Sequence, residues 1–196
     1  VGADLVRATG YDGSGVQVMI VDSGIARYVD ASGLAYRVFL PIVVTDSSSG
    51  SGRDGGTYHP DLQADRIFDQ YDYQADDEDA TDDWVLKGGH GTHVAGTIGG
   101  RYNASHPRSN QSYQGLAPSA DLLIYRLFGL DNPFDVAWFQ EALLRATSGG
   151  RTAHVSNNSW GRGDYGEYDI TSEFADAAVR GEYNGHPVNI VAAAMN

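Results

Sequence analysis

The chain has 196 residues, 41% of them hydrophobic, enough for one domain with a real core or for the larger part of a bigger one. It carries 26 acidic against 13 basic residues, a formal charge of −13, and no cysteine. A balance this acidic repels phosphate backbones and argues against nucleic acid, no apolar run nears the roughly 18 residues of a membrane helix, and disulfide and thiol chemistry are excluded. The opening VGADLVRATG has neither a basic n-region nor an apolar h-region, so it is expected to be a mature N-terminus from which any targeting or pro-segment has been removed.

The first strong signal along the chain is Val16-Gln-Val-Met-Ile-Val21, short and nearly continuous in apolar character. It predicts a buried parallel strand, ended by Asp22-Ser-Gly24. Small and apolar residues from His93 to Ile98 suit a closely packed helix, and Asp121-Leu-Leu-Ile-Tyr-Arg-Leu127 returns to a strand pattern. Phe134 to Thr147 reads as a helix, because Val136, Phe139, Leu143 and Leu144 recur at helical spacing and Gly149-Gly150 stop it. A strand from Ala153 to Asn157, a helix from Thr171 to Val179 and a strand from Val188 to Ala193 complete the series. The last helix would be capped by Thr171 or Ser172, with Glu173 in its first turn. This alternation predicts an α/β fold, a doubly wound and mostly parallel sheet flanked by helices. Functional groups in such sheets gather beyond the carboxyl ends of strands, where Asp22 follows one strand and Asn196 another.

Two stretches interrupt the scheme. Residues 46–57, DSSSGSGRDGGT, are rich in Ser and Gly and predict a mobile surface loop without chemistry. Residues 69–83, DQYDYQADDEDATDD, carry eight carboxylates, which are expected to be either solvated and flexible or gathered by a cation. Their spacing is not that of an EF-hand loop.

The segment from Gly88 to Gly100, GGHGTHVAGTIGG, crowds glycine around a helix start, where backbone closeness matters more than helix propensity. Asp22 after a buried strand and His90 at this entry are the two groups a hydroxyl nucleophile needs beside it. The imidazole removes the hydroxyl proton, and the carboxylate fixes the tautomer and stabilises the imidazolium.

Beyond those two residues, five segments in order resemble the subtilisin-like serine proteases: VMIVDSGI, GHGTHVAGTIGG, QGLAPSADLLIYRLF, SNNSWGRG and VNIVAAAMN. The resemblance implies that Asp22 is the orienting acid, that His90 is the general base and that His93 is a packing residue one turn on. It implies further that Ser159, Trp160 and Gly161 present an extended edge to a peptide substrate, and that Asn196 donates its amide to the oxyanion. His59-Pro-Asp61-Leu is similar to a family segment whose Asp binds structural calcium, making Asp61 a candidate ligand. No metal or other cofactor is expected for catalysis, and a secreted location, extracellular or periplasmic, is implied by the family and by the expected processing.

The chain departs from the family pattern in three places. Residues 1–196 contain no Gly-Thr-Ser-Met-Ala segment, Met195 stands where the family has Gly, and a long insertion separates Asp22 from His59. Ser148 in ATSGG falls at a predicted helix end and is not taken as the nucleophile. Residues 1–196 are therefore expected to form the N-terminal larger part of a single peptidase domain. The serine would come from a C-terminal fragment of the same protease, left bound after cleavage, because a parallel sheet cut before its last strands exposes edges and apolar faces. The expected activity is serine endopeptidase, with a polypeptide substrate or inhibitor as partner and neither nucleic acid nor membrane. The alternatives are a catalytically inactive subtilisin-like binding or regulatory protein and a zinc hydrolase built on His90 and His93, whose three-residue spacing is poor for helix-borne zinc ligands.

Overall fold

A computed structural model of the protein describes residues 3–28, 38–39, 42–43, 57–58, 61–62, 64–82, 89–102, 114–129, 134–161 and 166–194. In chain order the elements are α1 (Ala3–Ala8), β1 (Gln17–Asp22), β2 (Arg27–Tyr28), β3 (Val38–Phe39), β4 (Ile42–Val43), β5 (Thr57–Tyr58), a 3₁₀ turn at Ala64–Arg66, β6 (Ile67–Asp72), α2 (His90–Gly99), β7 (Asp121–Arg126), α3 (Val136–Ala146), β8 (Ala153–Asn158), α4 (Ile170–Val179) and β9 (Asn189–Ala192). Five strands form one parallel sheet in the order β6-β7-β1-β8-β9. The expected α/β sheet with flanking helices is therefore present. The pairs β2–β5 and β3–β4 are short antiparallel ladders outside it. Residues 46–56 lie outside the described residues.

The two faces of the sheet follow from the period-2 alternation of β1 and β7. Val18, Ile20, Leu122 and Ile124 share one cluster with Val94 and Ala95 of α2. Met19, Val21, Leu123 and Tyr125 share the other with Phe139 and Leu143 of α3 and Ala178 of α4. Both strands are buried almost throughout, which is why they read as continuous apolar runs. β9 is different: its residues are mostly exposed, Val191 by 53%.

Helix boundaries shift where polar groups decide them. α2 begins at His90 rather than His93, because Gly89 takes a left-handed conformation (φ 55°) and its carbonyl accepts from His93 N at 2.9 Å. α4 begins at Ile170, capped neither by Thr171 nor by Ser172. The side chain of Asp169 accepts from Ser172 N at 3.0 Å and so meets an orphan donor of the first turn. Asp135 caps α3 in the same way through Ala137 N at 2.9 Å.

Strand β6 occupies sequence expected to be solvated and flexible or gathered by a cation. Ala75, Asp76, Asp77 and Glu78 are exposed, but Asp69 and Asp72 are inside the sheet, and the cations that gather them are guanidinium groups. Asp72 pairs with Arg126, which also donates to Gln74 Oε1 at 3.1 Å. Asp69 accepts from Arg145 Nε and from the hydroxyl of Tyr125, each at 2.8 Å, while Arg145 lies over the ring of Tyr71 at 4.6 Å. A buried carboxylate is tolerable when charge and hydrogen bonds both meet it.

Candidate active site

Asp22 ends β1 on the face that carries α2, and α2 starts at the carboxyl edge of the sheet with His90. The backbones meet closely there. A Cβ at Gly91 would lie 2.2 Å from the carbonyl oxygen of Gly24, so no side chain fits between helix and strand end. Gly91 N donates to Ser23 Oγ at 3.0 Å, and Ala26 N donates to Thr92 Oγ1 at 2.8 Å. These bonds use groups of the first helical turn that have no partner within the helix.

The result is a bond of 2.7 Å between His90 Nδ1 and Asp22 Oδ1, which also accepts from Ser23 N at 2.8 Å. Asp22 is 1% exposed at its side chain, whereas His90 is 46% exposed. A carboxylate can only accept, so Nδ1 carries the hydrogen and Nε2 keeps its lone pair. The bond to Asp22 raises the pKa of His90, burial opposes that rise, and the charges of Asp22 and Asp82 add to it. Such a pair can take a proton from a hydroxyl placed at Nε2 and hold the resulting imidazolium.

The other expected residues distribute as follows. β8 is the neighbour of β1, with Val21 opposite Asn158, so Ser159, Trp160 and Gly161 lie just beyond a strand end beside Asp22. Ser159 Oγ accepts from Asn157 Nδ2 at 2.9 Å and Gly161 is exposed. The ring of Trp160 turns into the core, 4.7 Å from Phe134 and 5.5 Å from Phe139 between centroids. His93 is partly buried one turn beyond His90. Asp61 sits at the opposite end of α2, where its carbonyl accepts from Arg101 N at 2.8 Å. Ser148 follows α3 at the amino edge of the sheet, its hydroxyl donating to Arg145 O at 3.1 Å. Among the described residues no three His, Cys, Asp or Glu side chains are grouped to hold a metal. His59, Met195 and Asn196 lie outside the described residues. Beyond β9, Ala193 N donates to Asn158 O at 3.0 Å.

Two features escaped the sequence reading. Thr92 Oγ1 donates to the buried carboxylate of Asp82 at 3.3 Å. In addition, Asp72, Arg126 and Asp22 stand side by side in register across β6, β7 and β1. The second was signalled by Arg126 inside the apolar run LLIYRL, since a buried guanidinium demands a carboxylate.

A sheet of this order with an Asp–His pair at its carboxyl edge is the framework of a serine-peptidase-like protein. The chain belongs to the subtilase family, whose model matches residues 13–196. It is 35% identical over 88 residues, 45% of the chain, to the "Intracellular serine protease" of Paenibacillus polymyxa. It is 42% identical over 79 residues, 39% of the chain, to the "Major intracellular serine protease" of Bacillus subtilis (strain 168). The matched segments span 25% and 22% of those relatives' own lengths. Both relatives are named intracellular, which overturns the expectation of a secreted, extracellular or periplasmic, protein. That expectation rested on the family resemblance and on reading VGADLVRATG as a processed end, and the absence of signal features does not distinguish a removed leader from none.

Proposed function

We propose that the intact protein is a serine endopeptidase acting inside the cell, with Asp22 and His90 as its acid–base pair. The observation that carries this is the 2.7 Å bond from His90 Nδ1 to a buried carboxylate, with the imidazole side chain itself 46% exposed. In this reading His90 Nε2 removes the proton of a serine hydroxyl as its oxygen attacks the scissile carbonyl, and Asp22 stabilises the imidazolium. The imidazolium then protonates the leaving amine, and water repeats the sequence to release the acyl group.

The serine is supplied by a segment outside residues 1–196, and Asn196 donates to the oxyanion, an interaction worth about 10²–10³ in turnover. The backbone of Ser159, Trp160 and Gly161 receives the substrate as an added strand. Residues 1–196 form the larger part of one peptidase domain. The remaining part packs beside β9, whose exposed Val191 supports that placement. Asp61 serves a structural calcium site that takes no part in the chemistry.

The test is hydrolysis of a protein substrate by the intact protein. Activity that survives EDTA and is abolished by a serine-directed sulfonyl fluoride is the expected result. Loss with EDTA and survival with the sulfonyl fluoride would assign the chemistry to a metal. Inertness under both conditions, with peptide binding retained, would make the protein a binding module.

A further inference from the structure

Helix α2 presents a problem at its first turn. Its N-cap is Gly89, which offers no side chain to the orphan N–H groups, yet this turn has to hold His90 in place. A negative charge near a helix N-terminus stabilises it through the aligned peptide dipoles, and one is available from another segment.

We propose that Asp82 is a positioning residue for His90, a second buried carboxylate that holds the first turn of α2 and so keeps the imidazole against Asp22. Asp82 is 2% exposed. Its backbone is fixed three residues beyond Asp22: Asp82 N donates to Ile25 O and Ile25 N donates to Ala80 O, both at 3.0 Å. Its carboxylate accepts from Thr92 Oγ1 at 3.3 Å, and that hydroxyl accepts in turn from Ala26 N at 2.8 Å. Thr92, 1% exposed, thereby ties the helix to two neighbouring segments at once. The carboxylate also lies close under the peptide that precedes His90, because a Cβ at Gly89 would be 3.7 Å from Asp82 Oδ2.

The charged and titratable groups around His90 are few among the described residues. Asp22 faces it from β1, Asp82 from the segment after β6, and His93 shares its helix. Asp72 and Arg126, in the same row of the sheet, pair with each other. The charge of Asp82 reinforces the rise in the pKa of His90 that the bond to Asp22 dominates. This inference rests on the proposed role of His90, and its test separates the two.

The experiment is a histidine-ring NMR titration of the intact protein, paired with pH profiles of kcat and KM. In Asp82→Asn, which keeps shape and removes charge, the His90 midpoint should fall by about half to one pH unit. kcat should fall about tenfold with KM nearly unchanged, as expected of a misplaced base. Asp82→Glu should restore the midpoint. A midpoint in Asp82→Asn equal to that of the unaltered protein overturns the proposal. Should that variant not fold, Thr92→Val severs the same link, and a His90 midpoint unmoved there overturns it equally. A midpoint that moves in Asp82→Asn but stays in Asp22→Asn sustains the link from Asp82 to His90 and overturns the Asp22–His90 pair.

Discussion

Asp22 and Asp72 end neighbouring parts of one sheet, flank the same residue, Arg126, in register, and are 1% and 0% exposed. Their partners differ. Asp72 is sealed against a guanidinium that is itself 3% exposed, whereas Asp22 meets an imidazole that is 46% exposed. Arginine does not give up its proton in a protein, so the Asp72 pair can hold strands together but cannot transfer anything. Histidine titrates near neutrality, and this one is half-exposed with Nδ1 alone bound to the carboxylate. Burial of a carboxylate therefore does not mark chemistry; the partner's ability to exchange a proton with an outside molecule does.

The sharpest way to break this contrast is to remove one partner from each pair. His90→Ala should lower kcat of the intact protein by on the order of 10⁶ and Asp22→Ala by on the order of 10⁴, magnitudes known for Asp–His–Ser peptidases, with a smaller change in the urea midpoint than Asp72→Ala gives. Asp72→Ala should do the reverse. It takes the carboxylate away from a buried guanidinium and should cost about 3–5 kcal/mol of stability, while the kcat of the folded fraction is preserved. Equal loss of activity in both would erase the distinction. Gly91→Ala sharpens the contrast from the backbone side. Its Cβ would press on the Gly24 carbonyl and should cost about 1–3 kcal/mol together with a loss of kcat, since helix and strand end must separate.

The smallest effects are those of pH. The bond to Asp22, opposed by burial, raises the pKa of His90, and the general base must be neutral, so the acidic limb of kcat/KM should lie above the imidazole's usual value of about 6.5. For stability, a raised folded-state value means that the pair contributes fully below the free imidazole range and loses its contribution as pH rises through the folded value. His90→Gln should thus be more destabilising at acid than at alkaline pH. Asp69 runs the other way. Burial pushes its carboxyl up, but hydrogen bonds from Arg145 and Tyr125 and the arginine charges outweigh it and hold it below the usual range. Its contribution is present above about pH 4 and disappears as pH falls through the folded value, so Asp69→Asn should flatten the acid limb of the urea midpoint.

Much of the sheet was legible because β1, β7 and β8 and their helices carry their own evidence: an apolar run or a helical stripe long enough to be read locally. β6 was not. Its sequence, IFDQYD, places carboxylates where a strand interior should be apolar, and the arginines that neutralise them, at positions 126 and 145, are more than fifty residues away. The cap at Asp169 was missed for a smaller reason, since Thr171 and Ser172 offer the same chemistry one turn fragment later. At the site, Asp22 and His90 were legible through motif resemblance. Asp82 was hidden among eight carboxylates in residues 69–83, and only its burial beside Thr92 separates it from the exposed ones.

The central claim is that the Asp22–His90 pair activates a serine hydroxyl. Labelling the intact protein with a fluorophosphonate, followed by mapping of the modified residue, tests it most directly. One rapidly labelled serine outside residues 1–196 is expected, with labelling lost in His90→Ala and strongly slowed in Asp22→Ala. Labelling at an undiminished rate in His90→Ala, or none in the unaltered protein, would contradict it.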